Sequence, residues 1–180
     1  MSRLDHIILM ASYNTEMNAK LYAAAAQISA EEIQADKGAY FTSILGTLNH
    51  IVVADTVWLK RFAAHPSQHL SLAPMQALPS PERLDQLLFT DLPSLTEHRH
   101  WLDGVINAWA KSLTEADLSH VLHYANMKGI AANKNFFSLV MHFFNHQTHH
   151  RGQATTLLSQ QGIDVGVTDL LELIPNQAAE

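Results

Sequence analysis

Residues 40–64 read YFTSILGTLNHIVVADTVWLKRFAA, an almost unbroken apolar helical pattern with one histidine, His50, inside it. At about 100° per residue the apolar side chains here cover most of the helix circumference, so the helix needs neighbours on nearly every side. It therefore belongs in the middle of a bundle, and the rest of the chain supplies the neighbours. Before it, residues 3–28 carry Ile7, Ile8, Ala11, Met17, Leu21 and Ala24 at helical spacing. A polar connector, SAEEIQADKGAY, joins the two, and its Ser-Ala-Glu-Glu opening can begin a short helix of its own. After it, four prolines between Pro66 and Pro81 break any helix and mark a surface crossover. A third helix is predicted over 83–113, with an interruption near Pro93. A fourth is predicted over 135–161, stopped by Gly162. Residues 117–135, DLSHVLHYANMKGIAANKN, lack helical period and predict an irregular segment or short hairpin. The expected fold is all-α: a four-helix bundle in up-down-down-up order, one domain over residues 1–180.

The 180 residues are 47% hydrophobic, enough to bury one core without covalent staples. There is no cysteine, which excludes disulfides, thiolate metal sites and a cysteine nucleophile, so any metal must be held by nitrogen and oxygen. Eleven basic against 17 acidic residues give a formal charge of -6, with Lys and Arg scattered. Nucleic acid is not an expected partner of such a surface. No run reaches the ~18 apolar residues of a membrane span, and the first twenty residues lack the apolar core of a secretory signal. No membrane partner and a cytoplasmic location are expected on these grounds.

The chain has 12 histidines, and four of them fall in HFFNHQTHHRGQ, residues 142–153. With His142 at zero on a helical wheel, His146 lies near ~40° and His150 near ~80°, at the edge of the apolar face, while His142 and His149 lie outside it. Two imidazoles at i and i+4 reach a single ion from one side of a helix. The plainer reading of such a pair is imidazole satisfied by hydrogen bonds or by water. A protease site is disfavoured because Gln147 stands where the glutamate base would be. His50, among Leu48, Ile51, Val52 and Val53, is the candidate third ligand. Burial would keep it neutral, and the plain alternative is a hydrogen bond to a backbone carbonyl.

Three stretches, SYNTEMNAKLYAAAAQIS, LGTLNHIVVADTVWLKRF and HFFNHQTHHRGQATTLLSQQGIDVGVTDLL, resemble the DinB/YfiT-like family of four-helix proteins. NHxxHHRGQ with the following Gly-Ile-Asp is the specific part; the third helix has no matched motif. The resemblance implies a divalent-metal site on His50, His146 and His150, with zinc or nickel as the first expectation and iron after them. It also implies a metal-dependent enzyme, a thiol-dependent transferase or a hydrolase, acting on an unidentified small molecule with a low-molecular-weight thiol as the implied partner. A homodimer is implied too. The rival is a non-catalytic metal-binding dimeric bundle with a structural or sensing role.

Three neutral histidines leave the charge of an ion uncompensated and coordination positions open, the arrangement of a catalytic zinc site. Asn49, Gln147, Arg151 and Gln153 adjoin the ligands in sequence and are candidates to orient them or to hold an anion, against the simpler expectation of an exposed role for each. His142 and His149 are candidates for proton relay at the rim, against solvated surface histidine, and Trp58 reads as core rather than as a platform for substrate. A hemerythrin-like di-iron centre is disfavoured: Asp55 follows His50, but Ala54 stands where a bridging glutamate would be needed. His6, His65, His69, His98, His100, His120 and His123 fall in loops or on mixed faces and receive no role.

Overall fold

The computed structural model describes residues 2–176. Its long helices are α1 (Arg3–Ala25), α3 (Ile44–Phe62), α5 (Leu92–Ser112) and α7 (Phe136–Ser159). Between them lie the short helices α2 (Ala30–Gln34), α4 (Ala73–Ala77) and α6 (Glu115–Leu118). Strands β1 (Val121–Ala125) and β2 (Ala131–Asn135) form an antiparallel hairpin, with Val121 opposite Asn135 and Ala125 opposite Ala131. Helix α1 packs on α5 and α7, and α3 packs on α7 and α5. No helix among the described residues is long and apolar enough to cross a membrane.

Each long helix starts where a side chain can take up an orphan backbone N–H. Ser2 and Asp5 form a capping box on α1, Ser43 caps Gly46 on α3, Asp91 caps Ser94 on α5 and Asn135 caps Ser138 on α7. These caps correct two predicted starts. Helix α3 begins at Ile44, not Tyr40, because Thr42 adopts φ 61° in a turn bridging Ala39 and Thr42. That turn presses against the helix so closely that a Cβ on Gly46 would lie 2.1 Å from the Phe41 carbonyl oxygen, so only glycine fits. Helix α5 begins at Leu92, not at residue 83. Pro93 opens it rather than interrupting it, sitting in the first turn where its missing N–H costs nothing. The proline-rich crossover, in turn, contains a 3-10 turn at Leu70–Leu72 and then α4, with Pro74 in the first turn.

The apolar core centres on Phe62 stacked on Trp109, with Phe136 and Phe143 edge-on to both. A charged network runs through the same interior. Arg99, fully buried on α5, lies 2.6 Å from Asp55 on α3 and 2.8 Å from Asp103. Asn14 and Asn18 on α1 donate to Asp103, and Arg151 on α7 donates to Asn14. Arg99 thus faces two carboxylates, the pairing that buried charge requires, and Arg151 joins the network through the Asn14 amide. Burial opposes the charge on Arg99, but Asp103 and Asp55 outweigh it and raise its pKa. Asp55 is committed to this network, away from the histidines.

Candidate metal centre

His50 projects from the middle of α3, and the chain around it fixes its ring. The ring stacks on Phe41, centroids 3.8 Å apart at 16°, which the tight turn before α3 puts in place. On the other side, Nδ1 lies 2.8 Å from the Leu84 carbonyl oxygen. Leu84 belongs to the non-helical run leading into α5, and buried Asn49 clamps that run. Its side-chain oxygen accepts from the N–H groups of Leu88 and Phe89, at 2.9 and 3.0 Å, while its amide donates to the Phe89 carbonyl. A carbonyl can only accept, so His50 Nδ1 carries the proton and Nε2 presents a lone pair.

His146 and His150 stand one turn apart on α7, which packs against α3. His150 Nδ1 donates to the side-chain oxygen of Gln153 at 2.7 Å, so its Nε2 is also a lone pair. His50 Nε2 lies 3.2 Å from His150 Nε2, and His150 Nε2 lies 3.1 Å from His146 Nε2. Tetrahedral bonds of 2.0–2.1 Å to one zinc ion would space such nitrogens by roughly 3.3 Å. Burial pushes the His50 pKa down to about 4 and that of His146 to about 3, with the neighbouring rings adding to the shift; burial lowers His150 as well. The rings are therefore neutral near pH 7 and refuse the proton that would otherwise relieve two facing lone pairs. This donor set fits a divalent cation.

A family model described as the DinB family matches residues 1–178. The chain belongs to the DinB family. The match includes the third long helix, for which the motifs alone offered no counterpart. Comparison with curated proteins and with solved structures gave no match.

In this DinB chain a cleft of about 450 Å³ opens onto His50 and His146. Its lining includes Trp58 and Arg61 from α3, Met127, Lys128 and Ile130 from the hairpin tip, and His142. No carboxylate lines it among the described residues. Trp58, predicted as core, is half-buried and contributes to this wall. His142 is exposed and its ring lies 5.9 Å from that of His146; His149, also exposed, lies against His150.

Of the four residues flanking the ligands, Gln153 orients His150 directly and Asn49 positions the carbonyl that orients His50. The exposed role expected for Asn49, Gln147 and Arg151 is wrong: all three are buried. Arg151 turns away from the site, with its guanidinium over Tyr13. Sequence reasoning missed Phe41, the Leu84 carbonyl and the hairpin tip. A carbonyl carries no residue-type signal, and the tip adjoins the site only through folding.

A second group, His65, His69 and Asp117, brings candidate ligand atoms within 4.8 Å of one another. Both histidines lie in the loop predicted for them, but both are buried. Here the Ser67 backbone N–H donates to His65 Nδ1 at 3.2 Å. The neutral ring must then carry its proton on Nε2 and presents no second lone pair. Asp117 is occupied as well, accepting from Ser67 and Thr114.

Proposed function

We propose that this DinB-family chain is a divalent-metal-dependent enzyme, with His50, His146 and His150 as the ligands, acting as a thiol-dependent transferase or a hydrolase on a small molecule. Zinc or nickel is the resident ion, with iron the next in order. The four long helices form one domain, a four-helix bundle in up-down-down-up order, and the chain works as a cytoplasmic homodimer without nucleic-acid or membrane partners. One observation carries the metal assignment: at least two imidazole lone pairs, fixed by the partners of the opposite ring nitrogens, face each other at 3.2 Å in a site where burial refuses protons. A cation between them turns that repulsion into binding.

A divalent ion held there supplies Lewis acidity toward water or a thiol. The chain's own residues do the rest. Leu84 and Gln153 hold two rings in one tautomer. Trp58, Met127 and Ile130 give the cleft apolar walls. His142, at the rim, has its pKa lowered by partial desolvation and by Arg61, and its imidazole takes up a proton there. The open cleft on the site favours turnover over the rival reading of a metal held only for structure or sensing.

Elemental analysis of the purified chain by mass spectrometry tests the assignment, with about one divalent ion per chain expected. Removing the ion with a chelator should then leave the chain folded, with the melting temperature lowered only by the lost binding energy. Unfolding on chelation would instead establish the structural rival. Ester hydrolysis and glutathione conjugation, assayed with the metal-loaded and chelated chain, should both depend on the ion where they occur; turnover that survives chelation would exclude the reaction class.

A further inference from the structure

Arg61 lines the cleft, and the metal reading leaves the hydrogen-bonding capacity of its guanidinium unused. Its guanidinium is half-buried, lying over the Trp58 ring at 4.7 Å and the Tyr124 ring at 5.0 Å. The two aromatic faces, one from α3 and one from β1, hold it in place. Yet it makes no hydrogen bond and no ion pair among the described residues, although a guanidinium offers five N–H donors in a fixed plane. Every other buried or half-buried guanidinium among the described residues, Arg3, Arg99 and Arg151, has a hydrogen-bond acceptor. Arg61 is held rigid with its donors unspent.

Its register on α3 points to what those donors are for. His50, Ala54, Val57 and Arg61 follow one another at helical spacing, within about 60° of one face, and all four line the cleft. About 16 Å of helix separates the first from the last, at 1.5 Å per residue. Between them the floor is made only of short side chains, Ala54 and Val57. Trp58 forms one wall and the hairpin tip, with Met127 and Ile130, another. The cleft is therefore a trough with a cation fixed at one end, the imidazoles of His50 and His146 at the other and apolar surface between. Lys128 adds a second positive charge at the hairpin side, and among the described residues no carboxylate lines the cleft to oppose either. Its volume of about 450 Å³ lies within the range of small-molecule sites.

We propose that Arg61 is the anion-recognising residue of this cleft, and that the substrate is a carboxylate with a flat apolar body, its carboxylate on Arg61 and its reacting group toward His50 and His146. A carboxylate matches the guanidinium fork in two parallel hydrogen bonds, which a compact ammonium would not select for. The apolar body replaces water over Ala54 and Val57. Lys128, exposed on the tip, adds field without fixing geometry. The proposal rests on the cleft being the substrate site of the enzyme reading, but Arg61 needs no metal to bind its anion.

Calorimetric titration of the full chain with 2-naphthoate and with its neutral isostere 2-naphthamide tests it. The chain should bind naphthoate at least about tenfold more tightly than the amide, the factor expected from a charge-assisted bidentate contact. Arg61→Gln should erase that preference, Arg61→Lys should restore only part of it, and Lys128→Gln should retain most of it. Val57→Phe, which fills the floor without touching charge, should weaken both probes. His146→Ala should leave the preference intact even though it removes a ligand, so loss of the metal assignment and loss of this one give different results. No naphthoate binding at millimolar concentration, equal binding of acid and amide, or a preference surviving in a folded Arg61→Gln chain would overturn the proposal.

Discussion

Among the described residues, two groups containing histidine bring potential ligand atoms within 4.8 Å of one another, and one of them presents the donors a metal needs. In the group formed by α3 and α7, the far nitrogens of His50 and His150 donate to oxygen atoms, so the facing nitrogens carry lone pairs. At the end of α3 the Nδ1 of His65 accepts from a backbone N–H, so Nε2 carries the proton and neither nitrogen has a free lone pair. The rings are chemically identical and their spacing is similar. What separates a ligand from a bystander is the polarity of the backbone or side-chain group behind the ring.

The strongest way to break this comparison is to delete one ring from each group. His146→Ala or His150→Ala should abolish uptake of the ion, read as metal per chain by mass spectrometry, whereas His69→Ala should leave it at the wild-type level. Equal occupancy in all three would end the distinction. A smaller effect is expected when the group behind the ring is removed and the ring kept. Gln153→Leu frees His150 Nδ1 of its acceptor, and competition with a chelator of known affinity should show binding weakened about 10–100-fold. An unchanged affinity would mean that the tautomer is set elsewhere.

The smallest effect is on pH dependence. The folded pKa values of His50 and His146, about 4 and about 3, lie below the ordinary 6.5. As pH falls through 6.5 the unfolded chain takes up protons that the folded rings refuse, so these rings subtract stability progressively until pH reaches the folded values. Carboxylates with raised values, such as Asp55 at about 6, act in the opposite direction over part of the same range. The comparison is therefore between metal-free wild type and His146→Leu. In urea unfolding from pH 7 to pH 4 the variant should lose less stability than wild type. A constant gap across that range would show that His146 is not held neutral.

The features legible from sequence were those written in a short period. Long helices appear because apolar residues recur along each one, and His146 and His150 fall at the edge of that face by spacing alone. His50 was visible because a polar ring interrupts a long apolar run. Features that depend on contacts between distant segments were not legible. The reversed backbone at Thr42 moved the start of α3, and Pro93 proved to be an opener because Asp91 caps the turn around it. Arg151 adjoins His150 in sequence, but its charge is drawn off to Asn14 on α1. The hairpin tip reaches the cleft only because β1 and β2 fold back over α3.

The carbonyl of Leu84 has a consequence for how the site tolerates variation. It fixes the tautomer of His50 from the main chain, while Leu84 itself is 49% exposed at the margin of the cleft. A substitution at position 84 would alter that margin and leave the acceptor in place. The sensitivity would surface instead at Asn49, whose amide holds the peptide strand in place, so the determinant of ring chemistry is inherited through the route of a loop and not through the letter at 84.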